Sequence, residues 1–413
     1  MNSLPAKHVE LLAPAGNMEC FQAAMRFGAD AVYLAGKCFG LRAAAANFTE
    51  EELLSVISDA HALGKKVYVV VNSLVKNSEF SAVLEYLIRL KQLQADAVVL
   101  SDPAVIGPCR ELGLDIHIST QMSTMNYQSV NFWHTAGAKR IVMARELSLE
   151  EIRYICENSP GTIEIEAFVH GAMCVAYSGR CLLSAAFTGR SGNRGECAQP
   201  CRWKYTIHEE GYPEDFLPIF EDEKGTYILN SKDLMMIEHI PSLIQAGIMS
   251  LKIEGRMKSP YYVASVVNAY RRAIDAYYEA PDSYETDAQL VNDLRDCATR
   301  GLCTGFYFGN VAEASDIYRL PQKREYNFCA LVRGSRDSEG MLLVEQRNKF
   351  SVGDTIRILA PDKPALEFTV QKIQEPNGVD RASAPHPQEM LRLCCPFDLQ
   401  PGDMLKVKLR STD

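Results

Sequence analysis

Eight short apolar runs, separated for the most part by stretches of helical periodicity, constrain this chain more than any other feature. They are Val9–Pro14, Ala31–Gly36, Lys66–Asn72, Ala97–Asp102, Asp115–Thr120, Arg140–Arg145, Ile163–Gly171 and Ser250–Gly255. Between most of them, apolar residues recur at three- and four-residue intervals, as in Phe21–Met25 and Leu53–Ile57. Thr49 with Glu52, and Ser148 with Glu151, have the spacing of capping boxes that open two of those helices. Strands that are apolar almost throughout belong to a parallel sheet covered on both faces. Eight such units in about 250 residues fit a TIM-type (β/α)8 barrel. An open doubly wound sheet is the alternative. Its glycine-rich dinucleotide fingerprint is missing, because the first strand runs into Ala13-Pro14-Ala15-Gly16-Asn17.

The spacing is interrupted once. After the seventh run a long insertion, residues 172–231, precedes the next helical stretch. Loops of that length are usually functional, and in a barrel they leave from the active-site end of the strands. From about Tyr326 onward the texture changes to short β-rich runs between turn signals, among them Ser351–Leu359 and Gln400–Val407. That pattern predicts a small C-terminal antiparallel β-barrel. The expected division is a barrel domain over residues 1–320 and a β-domain over 321–413.

Composition narrows the setting. A net charge of −9 excludes a generally basic protein that coats nucleic acid, although a local basic patch remains compatible with it. No apolar run is long enough to span a bilayer, and the N-terminus has no secretory pattern, so a cytoplasmic protein without a membrane partner is expected. Thirteen cysteines, an odd number scattered through helices and strands, do not form a disulfide framework. Four of them stand apart. Cys174, Cys181, Cys197 and Cys201 all lie in the insertion, with gaps of six, fifteen and three residues. Four thiolates converging on one point are a ligand set for an iron–sulfur cluster or for zinc. Structural zinc sites commonly pair ligands two to four residues apart, and here only the last pair is that close. Near these cysteines stand Arg180, Arg190, Arg194, Arg202 and Lys204 against Glu196, with Trp203 and Tyr205 beside them. Such a patch suits a phosphate backbone and a stacked base.

The run Glu166-Ala-Phe-Val-His170-Gly171-Ala-Met-Cys174, followed by Gly179-Arg-Cys181-Leu-Leu-Ser184, resembles the signature of the collagenase-like peptidase family of unknown catalytic type (family U, number 32). Glu10–Gly16, Phe39–Phe48, Tyr227–Leu234 and the block from Ser250 to Asp275 are similar to its flanking blocks, in the same order. Within the family the chain is most similar to the members that take part in prephenate-dependent hydroxylation of the wobble uridine of bacterial tRNA to 5-hydroxyuridine. The resemblance implies a [4Fe–4S] cluster on Cys174, Cys181, Cys197 and Cys201, prephenate as co-substrate and tRNA as partner, and it is compatible with a paralogous partner chain.

A small dicarboxylate needs cations at the barrel mouth. Arg145 after the sixth strand, Lys252 and Arg256 around the eighth, and Lys232 before the next helix are the candidates. Glu166 and His170 are expected as base and hydrogen-bond donor, with Phe168 between them on one face by strand alternation. Asn72 and Gln121 end strands at the same mouth. Arg190, Arg194, Arg202 and Lys204 are the expected RNA contacts. Two other classes stay open. A peptidase needs an activated nucleophile or a metal-bound water. The chain has neither H-E-x-x-H nor G-x-S-x-G, and its one candidate pair is Cys174 with His170. The third reading is a non-catalytic RNA-binding scaffold whose metal staples the loop.

Overall fold

The computed structural model describes residues 8–40, 46–173, 181–190, 196–203, 220–222, 225–227, 232–309, 324–361, 363 and 365–409. Seven parallel strands follow one another around a barrel: β1 (Glu10–Pro14), β2 (Ala31–Leu34), β3 (Lys66–Val71), β4 (Ala97–Leu100), β5 (Ile116–Ile118), β6 (Arg140–Val142) and β7 (Glu164–Ala172). The insertion carries a short hairpin, β8 (Phe220–Asp222) and β9 (Gly225–Tyr227), and is followed by β10 (Asp233–Met235) and β11 (Ser250–Ile253). β11 pairs in parallel with both β7 and β1, and this closes the barrel at eight strands. The TIM-type expectation holds.

The helices α1 (Met18–Arg26), α2 (Glu50–Ala62), α3 (Phe80–Gln92), α4 (Ile106–Glu111), α5 (Tyr127–Ala136) and α6 (Leu149–Asn158) follow the first six strands. Both capping boxes read from the sequence are present, at the starts of α2 and α6. The insertion carries α7 (Leu183–Thr188), and α8 (Ile240–Gln245) lies between β10 and β11. The longest helix, α9 (Pro260–Glu279), starts where Ser259 caps it and Pro260 supplies a preset first-turn φ. It packs against α1, β1 and α10 (Ala288–Cys297). The motif Ala13-Pro14-Ala15-Gly16 serves closure rather than a cofactor. A Cβ on Gly16 would lie 2.0 Å from the carbonyl oxygen of Arg256, so only glycine lets the β1–α1 turn press on the chain leaving β11.

Two departures from simple alternation concern β7. Its upper end, His170–Ala172, pairs antiparallel with β10, which in turn pairs in parallel with β12 (Leu302–Cys303). The chain returning from the insertion is therefore stitched onto the barrel wall. In addition, Lys252 aligns with Phe168 but Ile253 aligns with His170, which leaves Val169 as an extra residue. This β-bulge re-aims the residues beyond it. Glu166 and Phe168 face the barrel interior, whereas His170 faces α9, between Tyr262 and Tyr270. The expectation that all three share one face fails for His170. Gly171 follows at φ 106°, and a Cβ there would meet the carbonyl oxygen of Glu254 at 2.3 Å.

The C-terminal residues form β13 (Tyr326–Val332), β14 (Met341–Gln346), β15 (Phe350–Ser351), β16 (Thr355–Leu359), β17 (Glu367–Thr369), β18 (Ile373–Gln374), β19 (Asp380–Arg381), β20 (Ser383–Ala384), β21 (Met390–Cys394) and β22 (Met404–Lys408). Eight of these make an antiparallel half-barrel in the order β17-β16-β22-β13-β14-β21-β18-β19, around a core that includes Val344, Ile356, Leu391 and Leu405. It is joined to the barrel by the stacked rings of Tyr261 and Phe328, and by buried Lys406, whose Nζ donates to Asp293 at 2.8 Å. Among the described residues, no helix is long and apolar enough to cross a membrane.

Candidate functional site

The barrel interior is built in two levels of different character. At the amino-terminal ends of the strands, the first residues of β1, β6, β7 and β11 are Glu10, Arg140, Glu164 and Ser250, and the third residues of β7 and β11 are Glu166 and Lys252. Arg140, 3% exposed, donates to Glu10 at 2.5 Å, to Glu164 at 2.6 Å and to Glu166 at 3.1 Å. Lys252 Nζ takes the other oxygen of Glu166 at 2.7 Å, and Tyr68 and Ser250 donate to Glu10. Burial pushes the Glu10 carboxyl up, but the Arg140 charge and the hydrogen bonds outweigh it and hold the group below its ordinary range. The Glu166 carboxylate, wholly buried, is thus committed to two cations of the wall.

Above this network lie Tyr33 and Phe168, whose rings are 4.3 Å and 5.5 Å from Lys252 Nζ. His117 of β5 stacks edge-on against Tyr68 at 4.6 Å, and its buried Nδ1 has no hydrogen-bond partner among the described residues. Burial, followed by the charges of Arg140, Lys252 and Lys66, depresses its pKa well below the ordinary value, so the imidazole is neutral.

The mouth, at the carboxyl ends of the strands, has two arcs. On the side of β6, β7 and β11, the Arg145 guanidinium lies 4.5 Å over Phe168 and donates to the carbonyl of Ala172 at 2.7 Å. Arg256, just past β11, donates to Asn47 Oδ1 at 2.6 Å and is 5% exposed. Lys232, half-buried, precedes β10 and runs along Gly301. On the side of β3, β4 and β5 the groups around Gln121 are uncharged, and the carboxylate of Asp102, just after β4, accepts from the backbone N–H groups of Val75 and Ala104. Gln121 sits in a 3₁₀ turn (Thr120–Met122) and its Oε1 accepts from Asn72 at 2.6 Å, Ser101 at 2.8 Å and Ser119 at 3.2 Å. Asn72 and Gln121, each expected at the mouth, are thus one hydrogen-bonded unit.

In the insertion, α7 packs against a 3₁₀ turn (Pro200–Arg202). Ser184 Oγ accepts from Ala198 N, and Cys197 Sγ accepts the Gln199 N–H at 3.4 Å. Cys181 is exposed, and Cys197 and Cys201 are half-buried thiols. Among the described residues, no three histidine, cysteine or acidic side chains are already gathered as a metal site. Cys174 lies outside the described residues, as do Arg194 and Lys204. Four thiols in one insertion still have the donor chemistry of a cluster, and an N–H bond to sulfur is the kind of outer contact that tunes one. Arg190 is exposed, and the backbone of Arg202 lies in the 3₁₀ turn. Trp203 is 41% exposed while its indole N–H is pinned to Ala198 O at 3.1 Å.

The candidates from the sequence thus separate into groups. Arg145, Arg256, Asn72 and Gln121 stand at the mouth, and Glu166 and Lys252 pair with each other below it. His170 is turned to the outer layer, where Tyr270 is 3.4 Å from its Nδ1 and burial, then Lys258, pushes its pKa down to about 3. Sequence reasoning passed over Glu10, Arg140, His117, Ser101 and Ser119. Charged or polar residues at alternate positions of apolar strands were the available signal.

Residues 16–316 match the family model described as peptidase family U32, and residues 324–406 match the model of that family's C-terminal domain. Over 403 residues the chain is 38% identical to tRNA hydroxylation protein P1 of Bacillus subtilis, covering 97% of this chain and 95% of that one. It is 36% identical over 434 residues to tRNA hydroxylation protein P of Escherichia coli, covering 95% and 94%. It is also 30% identical over 380 residues to a protein of Porphyromonas gingivalis named collagenase, covering 89% of each chain.

Proposed function

This chain belongs to peptidase family U32, and on that footing we propose that it is an RNA-modifying enzyme that hydroxylates tRNA. The reading extends to C5 of the wobble uridine, with prephenate as co-substrate and a [4Fe–4S] cluster on Cys174, Cys181, Cys197 and Cys201. The observation that carries it is the match to two tRNA hydroxylation proteins across both domains, nearly end to end.

The chemistry of the site is compatible with that assignment. Replacing a ring C–H by C–OH needs an oxygen donor and redox chemistry that no side chain performs, and a bound cluster supplies the electron transfer. Arg145 and Arg256 bring planar guanidinium groups to the mouth, where they suit the carboxylates of a small dianion. Lys232 adds a third cation at the edge of the stitched strand β10. Arg190, with Arg194, Arg202 and Lys204 of the same insertion, holds the phosphate backbone. Trp203, fixed through its N–H, presents a ring face on which an unpaired base stacks.

The hydrolase reading gains nothing from the geometry. Its candidate base, His170, faces α9 rather than the mouth, and a pKa near 3 leaves it a poor proton acceptor at neutral pH.

Anaerobic purification with iron and sulfide analysis tests the cofactor, and nucleoside mass spectrometry of treated tRNA tests the reaction. The expected result is about four irons and four sulfides per chain, with a broad visible absorption that Cys197→Ala abolishes. Zinc in place of iron, or 5-hydroxyuridine formed equally well by a cysteine-free variant, refutes the cluster.

A further inference from the structure

We propose that Gln121 is the residue that selects uracil over cytosine at the barrel mouth. The inference rests on the uridine reading above and adds to it the group that recognises the base.

The Gln121 carboxamide is held in place by its neighbours. Gln121 Oε1 faces Asn72 Nδ2 and accepts from it at 2.6 Å. Ser101 and Ser119 donate to that same oxygen. Ser119 also accepts from the Gln121 backbone N–H, and Thr120 Oγ1 donates to the Met143 carbonyl, so the turn carrying Gln121 is tied at several points. With the oxygen saturated, the Nε2 amino group is left over. It has no hydrogen-bond partner among the described residues, and the side chain is only half-buried. A pre-oriented N–H2 donor therefore stands at the open end of the barrel, with its rotamer fixed before any ligand arrives.

The surroundings restrict what it recognises. Asn72, Ser101 and Ser119 are neutral, and His117 in the wall of β5 below is neutral because of its burial. Anions belong with the cations of the opposite arc, at Arg145 and Arg256. The neutral arc suits an uncharged heterocycle bearing a carbonyl. Uracil presents O4, an acceptor, where cytosine presents an N4 amino donor. With the 4-position of the base turned to Gln121 Nε2, uracil completes a hydrogen bond, whereas cytosine sets donor against donor and leaves both unsatisfied.

The geometry also indicates how to invert the choice. In Gln121→Glu, one carboxylate oxygen keeps the three donors of Asn72, Ser101 and Ser119, and the other presents an acceptor to the cytosine amino group. The probes are two anticodon stem-loop RNAs that differ only in having U or C at the first anticodon position. Affinity of the full chain for each is read by fluorescence anisotropy. Phosphate contacts are common to both RNAs and cancel in the ratio.

The wild-type chain is expected to favour the U-containing RNA by about ten- to a hundredfold. Gln121→Glu is expected to reverse the preference, and Gln121→Met, which keeps the volume and removes the donor, to bring the two affinities together. A wild-type chain without preference, or a U-to-C ratio unchanged in both variants, overturns the proposal. Product analysis separates the two levels of the argument. A Gln121-dependent preference without 5-hydroxyuridine breaks the hydroxylase reading alone. 5-Hydroxyuridine with an unchanged ratio in the variants breaks only this inference.

Discussion

The two levels of the barrel interior use the same kind of device for opposite ends. Below, Glu166 is gripped on both oxygens, by Arg140 and by Lys252, and these groups spend their hydrogen-bonding capacity within the protein. Above, Gln121 is gripped on one atom by three donors, and its other polar atom has no partner among the described residues. A saturated buried network closes the strands' amino-terminal ends and offers a ligand nothing. A group held on one side only has paid for its orientation and still has a bond to make. The comparison separates residues that hold the barrel from residues that read a substrate, although both sets are polar, inward-facing and carried by the same strands.

The contrast breaks most visibly at Glu166. Glu166→Ala leaves Arg140 with Glu10 and Glu164, but leaves Lys252 buried with no carboxylate partner. Loss of one member of a buried ion pair costs about 3–5 kcal/mol. Urea unfolding should report that loss, while the U-to-C binding ratio of the folded fraction stays at the wild-type value. The double change Glu166→Leu with Lys252→Met removes both charges, and most of the stability should return. A single variant that unfolds at the wild-type urea concentration, or one that alters base preference, removes the distinction between the two levels.

A second test uses pH. His117 and His170 are both buried and neutral, with pKa values depressed from the ordinary 6.5 by desolvation first, His170 to about 3. In the unfolded chain both take up protons below pH 6.5, while the folded protein refuses them. Their contribution to stability is therefore flat above that pH and falls as pH drops below it, by about 1.4 kcal/mol per pH unit for each histidine. The Glu10 contribution, from a carboxyl held below its ordinary value, is lost only at still lower pH. His170→Gln should lower the slope between pH 6 and about 5 by roughly one proton's worth, about 1.4 kcal/mol per pH unit, while His117 and His239, whose pKa burial also lowers, keep theirs. A slope unchanged by that substitution contradicts the buried, neutral assignment.

Much of this architecture is legible in the sequence because it depends on local periodicity. Lys66–Asn72 and Ala97–Asp102 read as strands from their own residues, and the Thr49 and Ser148 capping boxes lie within four residues of their partners. The interior network is different in kind. Arg140 meets Glu10 across 130 residues of chain, and Lys252 meets Glu166 across 86. No spacing rule connects them until the barrel has closed. The fate of His170 was hidden for another reason. One extra residue, Val169, inverts the alternation, and a bulge is defined by register against the neighbouring strand rather than by the residues that carry it. At the mouth, Asn72 and Gln121 were visible as polar groups ending strands. Their union through Ser101 and Ser119 was not, since each of those serines reads as an ordinary strand-ending turn residue.

The smallest effect is also the one that best sharpens the comparison. Ser101→Ala removes one of the three donors to Gln121 Oε1 and leaves Asn72 and Ser119 in place. The lost hydrogen bond is worth about 1 kcal/mol, and the oxygen keeps two partners, so the stability change should be at the lower edge of detection. Base preference should respond more than stability does. With one tether gone the carboxamide gains freedom, the Nε2 donor is aimed less well, and the U-to-C ratio should fall by a few fold without reversing. If the lower network and the mouth were one structural unit, stability and base preference would decline together in this variant. A fall in preference at nearly constant stability is the outcome required by a group that is oriented for a ligand.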